Sequence, residues 1–192
     1  MKPKYDSDIN VLFYPVVDSP TNGIEWANEA YNFIDNEINK GNCTYVNCSQ
    51  GISRSTTLVL YYLINKCDMT LNEAFQKLKQ KRNRICPSVG FVKGLIYYEE
   101  KILAKKPSFS IEEYSINCIK EIFPDLDGLL IEESYKNAEE KVKTEDYVKN
   151  LKKKVYNEDI EPIGYTAIDL LMEKHKDSLK ERLVCSLHHP FD

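Results

Sequence analysis

One cysteine and one arginine lie at a spacing that suits anion chemistry: Cys48 and Arg54, with Gly51 among the five residues between them. An apolar, strand-like run at 44–46 comes before the pair, and an apolar helical pattern at 56–66 follows it. A strand, a tight loop and a helix N-terminus form an anion site, because backbone N–H groups point into the loop and the helix dipole adds positive potential. A thiolate and a bidentate arginine in such a loop suit phosphoryl transfer through a cysteinyl-phosphate.

The elements that must position this loop are indicated by hydrophobic patterning. Residues 11–17 and 43–47 are short apolar runs that predict strands. Residues 18–23 predict a loop, since Ser-Pro and Asn-Gly pairs favour turns. A first helix is predicted to end near Gly41 and to present one apolar face. The residues of that face are Ala27, Ala30, Tyr31, Ile34 and Ile38.

Three further helices are predicted after the loop. Residues 58–64 are apolar nearly all round, so this helix should be buried. Thr70 and Glu73 predict a capping box for the next helix, which ends in a basic run at 77–84. That run is interpreted first as a solvated helix face and second as a surface for acidic phosphopeptides. Pro87 fits the first turn of the last helix, which carries Phe91, Leu95, Tyr98 and Ile102 on one face.

Four segments of the chain share their pattern with one known family. They are the loop Asn47–Ser55, the segments Met69–Phe75 and Arg84–Phe91 after it, and Asp18-Ser19-Pro20 before it. Together they resemble the signature loop, the two following helix openings and the general-acid loop of the dual-specificity branch of the cysteine-dependent protein phosphatases. The resemblance runs from about Asn10 to Ala104. It implies an α/β fold in which a phosphatase-like central sheet is flanked by helices.

The resemblance also implies a role for each polar residue. Cys48 is the expected nucleophile, Arg54 holds the phosphate oxygens, and Asp18 is the general acid. Ser55 helps the thiolate leave when the intermediate breaks down. Gly51 is expected to allow a φ angle or a close backbone approach that a side chain would block. The residues expected around the phosphate are Ser49, Gln50, Gly51, Ile52, Ser53 and Arg54.

Simpler structural interpretations stand beside these roles. Cys48 could be a buried structural cysteine, and Arg54 an ordinary arginine on a helix surface. Asp18 could be a turn residue before Ser-Pro, since aspartate is common in turns. Ser55 could cap the helix that follows the loop, a role compatible with the catalytic one.

Two departures from the family pattern are visible. The family usually has histidine where Asn47 stands and asparagine where Ser88 stands; an uncharged Asn47 predicts a weakened nucleophile. Several strands and a helix usually precede the segment that resembles 10–17, but here only nine residues do. The sheet is therefore expected to be N-terminally truncated, with an unpaired edge or exposed apolar surface. Either the C-terminal half covers that edge or the chain is a truncated product of marginal stability.

Charge divides the chain into two expected domains. Residues 1–106 carry 14 basic and 11 acidic residues, whereas residues 107–192 carry 12 and 19. We therefore expect a phosphatase-like domain at 1–106 and an acidic, mainly helical extension at 107–192.

Composition excludes several classes of protein. No signal peptide is expected, since residues 1–8 are polar and charged, and no apolar run approaches the ~20 residues that span a bilayer. No membrane partner is therefore expected. Six cysteines without CxxC pairs or disulfide-framework spacing indicate reduced thiols and a cytoplasmic, or alternatively nuclear, protein. The chain is acidic and no aromatic residues interleave its basic run, so no nucleic-acid partner is expected. All three histidines lie within the last eighteen residues, and no metal or organic cofactor is expected.

The leading hypothesis is a phosphatase that acts on a phosphorylated protein. Phosphotyrosine is the expected main substrate, and phosphoserine or phosphothreonine is the second candidate. Relatives that cleave inositol phospholipids carry basic residues inside the loop, and this loop has none before Arg54. The alternatives are a pseudophosphatase that binds phosphosites without turnover, and a non-functional fragment. Nothing in the sequence fixes the oligomeric state. A further hypothesis is oxidation of Cys48 to a disulfide with Cys86, which lies in a loop that could approach it.

Overall fold

The computed structural model describes residues 9–18 and 23–142. Its regular elements in these ranges are six α-helices, and a π-helical turn at Tyr98–Ile102 that continues the fourth. The helices are α1 (Ala27–Asn39), α2 (Arg54–Lys66), α3 (Leu71–Lys81), α4 (Val89–Tyr97), α5 (Ile111–Ile122) and α6 (Gly128–Val142).

The helix after the loop, α2, is the centre of the domain. It packs against α1, α3 and α4, and it buries Leu60, Tyr61 and Ile64. The rest of its apolar surface, such as Leu58 and Leu63, is only partly buried. The core cluster consists of Ala27, Leu60, Tyr61, Ile64, Leu71, Ala74 and Leu95. Because α2 is fixed on three sides, the loop at its N-terminus has a rigid base.

Two predicted helix ends agree closely with the structure, whereas Pro87, predicted to lie in the first turn of a helix, instead precedes Ser88, the N-cap residue of α4. Thr70 and Glu73 form the predicted capping box at α3, and Gly41 follows α1 with φ +83°. The predicted apolar faces hold at their centres and fail at their ends, where Ile38 is 42% and Ile102 is 61% exposed. Ile102 lies in the π-helical turn, whose wider repeat rotates it away from the face that Phe91 and Leu95 bury.

The predicted central sheet is not confirmed. The segments 11–17 and 43–47, predicted as strands, have no strand assignment in the described part of the chain. A strand is defined by ladder hydrogen bonds to a neighbour, and both segments instead line one groove of about 770 Å³. The expected exposed apolar surface is present there: Phe13 is 41% and Tyr45 is 86% exposed.

In the described part of residues 107–142, the segment 107–122 packs against α3 and α4. Phe109 and Tyr114 form an aromatic cluster with Phe75 of α3, with ring centroids 5.1 and 5.9 Å from the Phe75 ring. Lys79 of α3 pairs with Glu121 of α5 at 2.7 Å. No residue of 107–142 lines the groove, so this part of the extension does not cover the unpaired segments.

A buried carboxylate joins the extension to the domain. Glu99, in the π-helical turn, is fully buried. Its Oε1 accepts from the Leu71 backbone N–H and from the Ser108 hydroxyl, each at 2.8 Å. Its Oε2 accepts from the Ser108 backbone N–H at 2.9 Å. One side chain therefore satisfies the first backbone N–H of α3 and also two donors of Ser108, in the segment that leads into α5.

Removing this carboxylate should destabilise the whole domain. We expect Glu99→Ala to lower the free energy of unfolding by about 3–5 kcal/mol, because buried donors lose their acceptor. The neighbouring Glu100→Gln should change it by less than about 0.5 kcal/mol, since Glu100 is partly exposed and its pair with Lys101 is at the surface. Urea denaturation followed by circular dichroism measures both. Equal midpoints for the two variants would contradict the role given to Glu99.

Candidate active site

The loop between the 43–47 segment and α2 closes around the Cys48 thiol. The Gly51 backbone N–H donates to Cys48 Sγ at 3.2 Å, and Ser55 Oγ lies 3.2 Å from the same sulfur. Ser53 is the N-cap residue of α2, and its carbonyl accepts from the Thr57 N–H. The sulfur therefore lies beside the N-terminus of α2, where unpaired N–H groups and the helix dipole favour an anion.

Gly51 is required by the backbone of this loop. Its φ of +69° lies in the left-handed region that side chains disfavour. A Cβ built at this position would also lie 3.2 Å from Nη2 of Arg82. The conformation therefore disfavours larger residues, whereas the contact with the end of the flexible Arg82 side chain would require only a small shift of that side chain.

The loop changes the acidity of Cys48. Burial raises the pKa of the Cys48 thiol, but hydrogen bonds from the Ser55 hydroxyl and from the backbone N–H groups of Ser55, Gly51 and Gln50 outweigh burial. The pKa consequently falls from 9.0 to about 7. A substantial fraction of Cys48 is thus a thiolate near neutral pH, and the thiolate is the nucleophilic form.

The pH dependence of Cys48 alkylation tests this arrangement. The rate with iodoacetamide should rise with pH through a midpoint near 7, because only the thiolate reacts. In Ser55→Ala the midpoint should move up by roughly one pH unit, since a hydrogen bond to the charged form is lost. Peptide mass spectrometry separates Cys48 from exposed Cys67, whose profile in both proteins is the internal control. An unchanged Cys48 midpoint in Ser55→Ala would refute the assignment.

Arg54 and Asp18 meet at the mouth of the loop. The Arg54 Nη1 donates to the Val16 carbonyl at 3.3 Å, and its Nε lies 3.8 Å from Asp18 Oδ2. That separation is an ion pair but too long for a hydrogen bond, and the buried Nε has no hydrogen-bond partner among the described residues. Nε is therefore a donor of the guanidinium that no described residue satisfies by a hydrogen bond.

Asp18 is brought to the loop by a second contact. The Ser53 hydroxyl donates to Asp18 Oδ1 at 2.8 Å and accepts from the Ser88 backbone N–H at 2.9 Å. The fold thus brings Asp18, thirty residues before Cys48 in sequence, to the loop beside Arg54. The side chain is partly buried, at 15% exposure.

Arg82 is a site residue that the sequence reasoning missed. It follows α3, and its Nε donates to the Gly51 carbonyl at 2.8 Å while Nη2 donates to the Gln50 carbonyl at 3.0 Å. Holding these carbonyls outward turns the N–H groups of the loop toward Cys48. The interpretation of the basic run as a solvated face is incomplete for Arg82, whose exposed side chain also donates to two carbonyls of the loop. The sequence feature that could have indicated this role is an arginine at the end of a helix, because its planar guanidinium can donate two hydrogen bonds to neighbouring carbonyls.

The remaining loop residues have structural positions without assigned side-chain roles. The Ile52 carbonyl accepts from the Cys86 N–H at 3.0 Å, and Ser49 lines the groove beside Asn47.

The described residues contain no group of three His, Cys, Asp or Glu side chains that could hold a metal ion. Within the same ranges no helix has the length and apolar character of a membrane span.

Known proteins are similar in sequence to the part of the chain that contains the Cys48 loop. The family described as dual specificity phosphatase, catalytic domain, matches residues 2–101. Dual specificity protein phosphatase 1-A of Xenopus laevis is 43% identical over 99 residues, which are 51% of this chain and 26% of that protein. Dual specificity protein phosphatase 5 of Homo sapiens is 41% identical over 101 residues, 52% of this chain and 26% of its own.

The shared region is a minor part of each relative. For dual specificity protein phosphatase 16 of Homo sapiens, 36% identical over 102 residues, it is 53% of this chain and 15% of the relative. The chain therefore spans about a quarter or less of the length of these proteins. The family match nevertheless covers half of the chain and includes the Cys48 loop, the Asp18 segment and helices α1 to α4. The chain belongs to the dual specificity phosphatase family.

Proposed function

We propose that this chain is a protein phosphatase that acts through a cysteinyl-phosphate intermediate. Its preferred substrate is phosphotyrosine, and phosphoserine or phosphothreonine is the secondary one. The observation that carries the proposal is the Cys48 thiol. It lies at the N-terminus of α2, contacts the Gly51 N–H and Ser55 Oγ at 3.2 Å, and has a pKa lowered to about 7.

In the first step the Cys48 thiolate attacks phosphorus. The S–P bond forms while the bond from phosphorus to the ester oxygen breaks. Arg54 and the loop N–H groups stabilise the charge on the equatorial phosphate oxygens. The protonated Asp18 carboxyl gives its proton to the leaving oxygen of the substrate.

In the second step water attacks the cysteinyl-phosphate. The Asp18 carboxylate now accepts a proton from that water, the S–P bond breaks, and inorganic phosphate is released. The Ser55 hydroxyl donates to the departing Cys48 sulfur, which stabilises the thiolate as it leaves. The enzyme returns to its starting state without a cofactor.

The general-acid role of Asp18 has its own test. Asp18→Asn should slow hydrolysis of phenyl phosphate by roughly 100-fold or more, because a poor leaving group needs its proton. The loss should be smaller for p-nitrophenyl phosphate, whose leaving group is stable as an anion. Glu25→Gln, at an exposed carboxylate outside the site, is the matched control. An equal loss for both substrates would assign Asp18 to positioning of Arg54 and Ser53 instead.

The groove beside the loop supports an aromatic phosphoresidue. Its volume is about 770 Å³, and Phe13, Tyr14 and Tyr45 line it together with Cys48 and Arg54. An apolar cleft with a few polar groups at its base accommodates an aryl ring with its phosphate at the thiol. We accordingly propose a phosphorylated protein as the partner. The free thiols at Cys43 and Cys67 fit a reducing compartment, the cytoplasm or the nucleus.

The test compares turnover with binding. The purified chain is assayed between pH 5 and 8 with matched phosphotyrosine and phosphothreonine peptides, and phosphate release is measured. Catalytic release, faster for phosphotyrosine, is the expected result. Tight phosphopeptide binding without release, from a chain that unfolds cooperatively, would favour a phosphosite-binding pseudophosphatase, for which Asn47 beside the thiol is the supporting observation.

A further inference from the structure

Two cysteines outside the phosphate loop lie side by side. Cys86 precedes α4 and Cys118 lies in the middle of α5, and their sulfurs are 3.5 Å apart. Both are half-buried and both are free thiols. A disulfide needs a separation of about 2.05 Å, so the two sulfurs would have to approach by roughly 1.5 Å. Cys118 is a neighbour of Cys86 that the sequence does not indicate, and the Cys48–Cys86 pair stays a prediction.

The surroundings make the two thiols unequal. The Tyr114 hydroxyl has a single hydrogen, which the Pro87 carbonyl shares with Cys86 Sγ, 3.6 Å from the hydroxyl oxygen. Hydrogen bonds from Cys118 and Tyr114 lower the pKa of Cys86, whereas the contact with Cys86 and burial raise the pKa of Cys118. One thiolate next to one thiol is the arrangement of an attacking and a resolving cysteine.

Cys86 is also attached to the phosphate loop. Its backbone N–H donates to the Ile52 carbonyl at 3.0 Å, and two residues on, the Ser88 N–H donates to Ser53 Oγ at 2.9 Å. A covalent bond from Cys86 to α5 would therefore fasten the extension to the segment that supports the loop. This link joins the domain to a helix outside the 2–101 family match.

We propose that Cys86 and Cys118 are a redox modification site, oxidised by hydroperoxides to a disulfide that fastens α5 to the support of the phosphate loop. The Cys86 thiol loses its proton, and the thiolate attacks one peroxide oxygen as the O–O bond breaks. The hydroxide that leaves takes up that proton and becomes water, giving a sulfenic acid at Cys86. The Cys118 sulfur then attacks the Cys86 sulfur, the S–O bond breaks, and a second water carries away the thiol proton. Two thiols lose two electrons, and one hydrogen peroxide is reduced to two waters.

The test uses the full chain with Cys48→Ser, so that the loop thiol takes no part and the outcome is independent of phosphatase activity. After mild hydrogen peroxide, unreduced trypsin digestion should give peptides 85–93 and 106–120 joined, two hydrogens lighter than their sum. Cys118→Ser should lose this species, while Cys67→Ser, at an exposed cysteine, should keep it. Full alkylation of Cys86 and Cys118 after peroxide, or Cys86 joined to another cysteine, would overturn the proposal.

A second measurement tests the fastening. The bridge closes a loop of about thirty residues, so the oxidised chain should melt roughly 5–15 °C higher than the reduced chain, and dithiothreitol should reverse the shift. The Cys118→Ser chain should show no such shift under the same treatment. A bridged chain whose melting temperature is unchanged would contradict the proposed fastening of α5.

Discussion

Replacing Cys48 with serine is expected to lower the turnover number for p-nitrophenyl phosphate by about 10⁴-fold or more. The serine hydroxyl stays protonated at neutral pH, whereas the hydrogen bonds that lower the pKa of Cys48 to about 7 make a thiolate available. The loop itself should remain, since cysteine and serine have nearly the same shape. The variant should thus still bind a phosphotyrosine peptide, which fluorescence anisotropy measures.

The control for this variant is Cys67→Ser. Cys67 is exposed and caps the C-terminus of α2, at the end remote from the loop. It should leave the turnover number within about twofold of the unaltered chain. If Cys48→Ser retained more than a hundredth of the activity, the cysteinyl-phosphate mechanism would be excluded, and a water-based reaction would have to replace it.

Replacing Arg54 with lysine is expected to lower kcat/KM by about 10³-fold, although the charge is kept. The planar guanidinium can hold two phosphate oxygens while its Nη1 remains fixed by the Val16 carbonyl at 3.3 Å. An ammonium group offers no such fork and cannot satisfy both directions at once. Part of the loss should appear in phosphate binding, so the inhibition constant of inorganic phosphate should rise as well.

Arg84→Lys is the matched control for Arg54→Lys. Arg84 is exposed and lies outside the loop, so conserving its charge should leave kcat/KM nearly unchanged. Steady-state assays at constant ionic strength compare the two. If Arg54→Lys resembled Arg84→Lys, the guanidinium would act as a point charge only, and the loop N–H groups would supply the directional contacts.

The helical part of the fold could be predicted because its signals are local. The capping box of Thr70 and Glu73 and the position of Gly41 are confirmed, since each depends on contacts within one turn. The two apolar runs predict strands and the family resemblance implies a central sheet, but strand pairing depends on neighbours distant in sequence. In the described residues those runs line a groove. The π-helical turn that exposes Ile102 has no sequence signature of this kind, and it was missed.

The candidate site divides in the same way. The loop around Cys48 is contiguous in sequence, so its geometry and the need for Gly51 could be predicted from spacing. Asp18 could be proposed only through the family resemblance, because thirty residues separate it from Cys48. The resemblance could not supply the pairing of Cys86 with Cys118, since Cys118 lies beyond the matched region. The contact of Arg82 with the loop could not be predicted, because a run of basic residues has the same sequence pattern whether its side chains face solvent or donate to a carbonyl.

The fork of Arg82 onto the Gly51 and Gln50 carbonyls has a consequence for how ligands associate. The loop is already held in its anion-accepting conformation before any ligand arrives, so the entropy of ordering it is lost during folding and not during binding. Phosphate should therefore enter a rigid receptor. Discrimination among phosphorylated ligands would then depend on the groove beyond the loop. There the exposed side chains of Phe13 and Tyr45 can contact the part of the ligand that is attached to the phosphate.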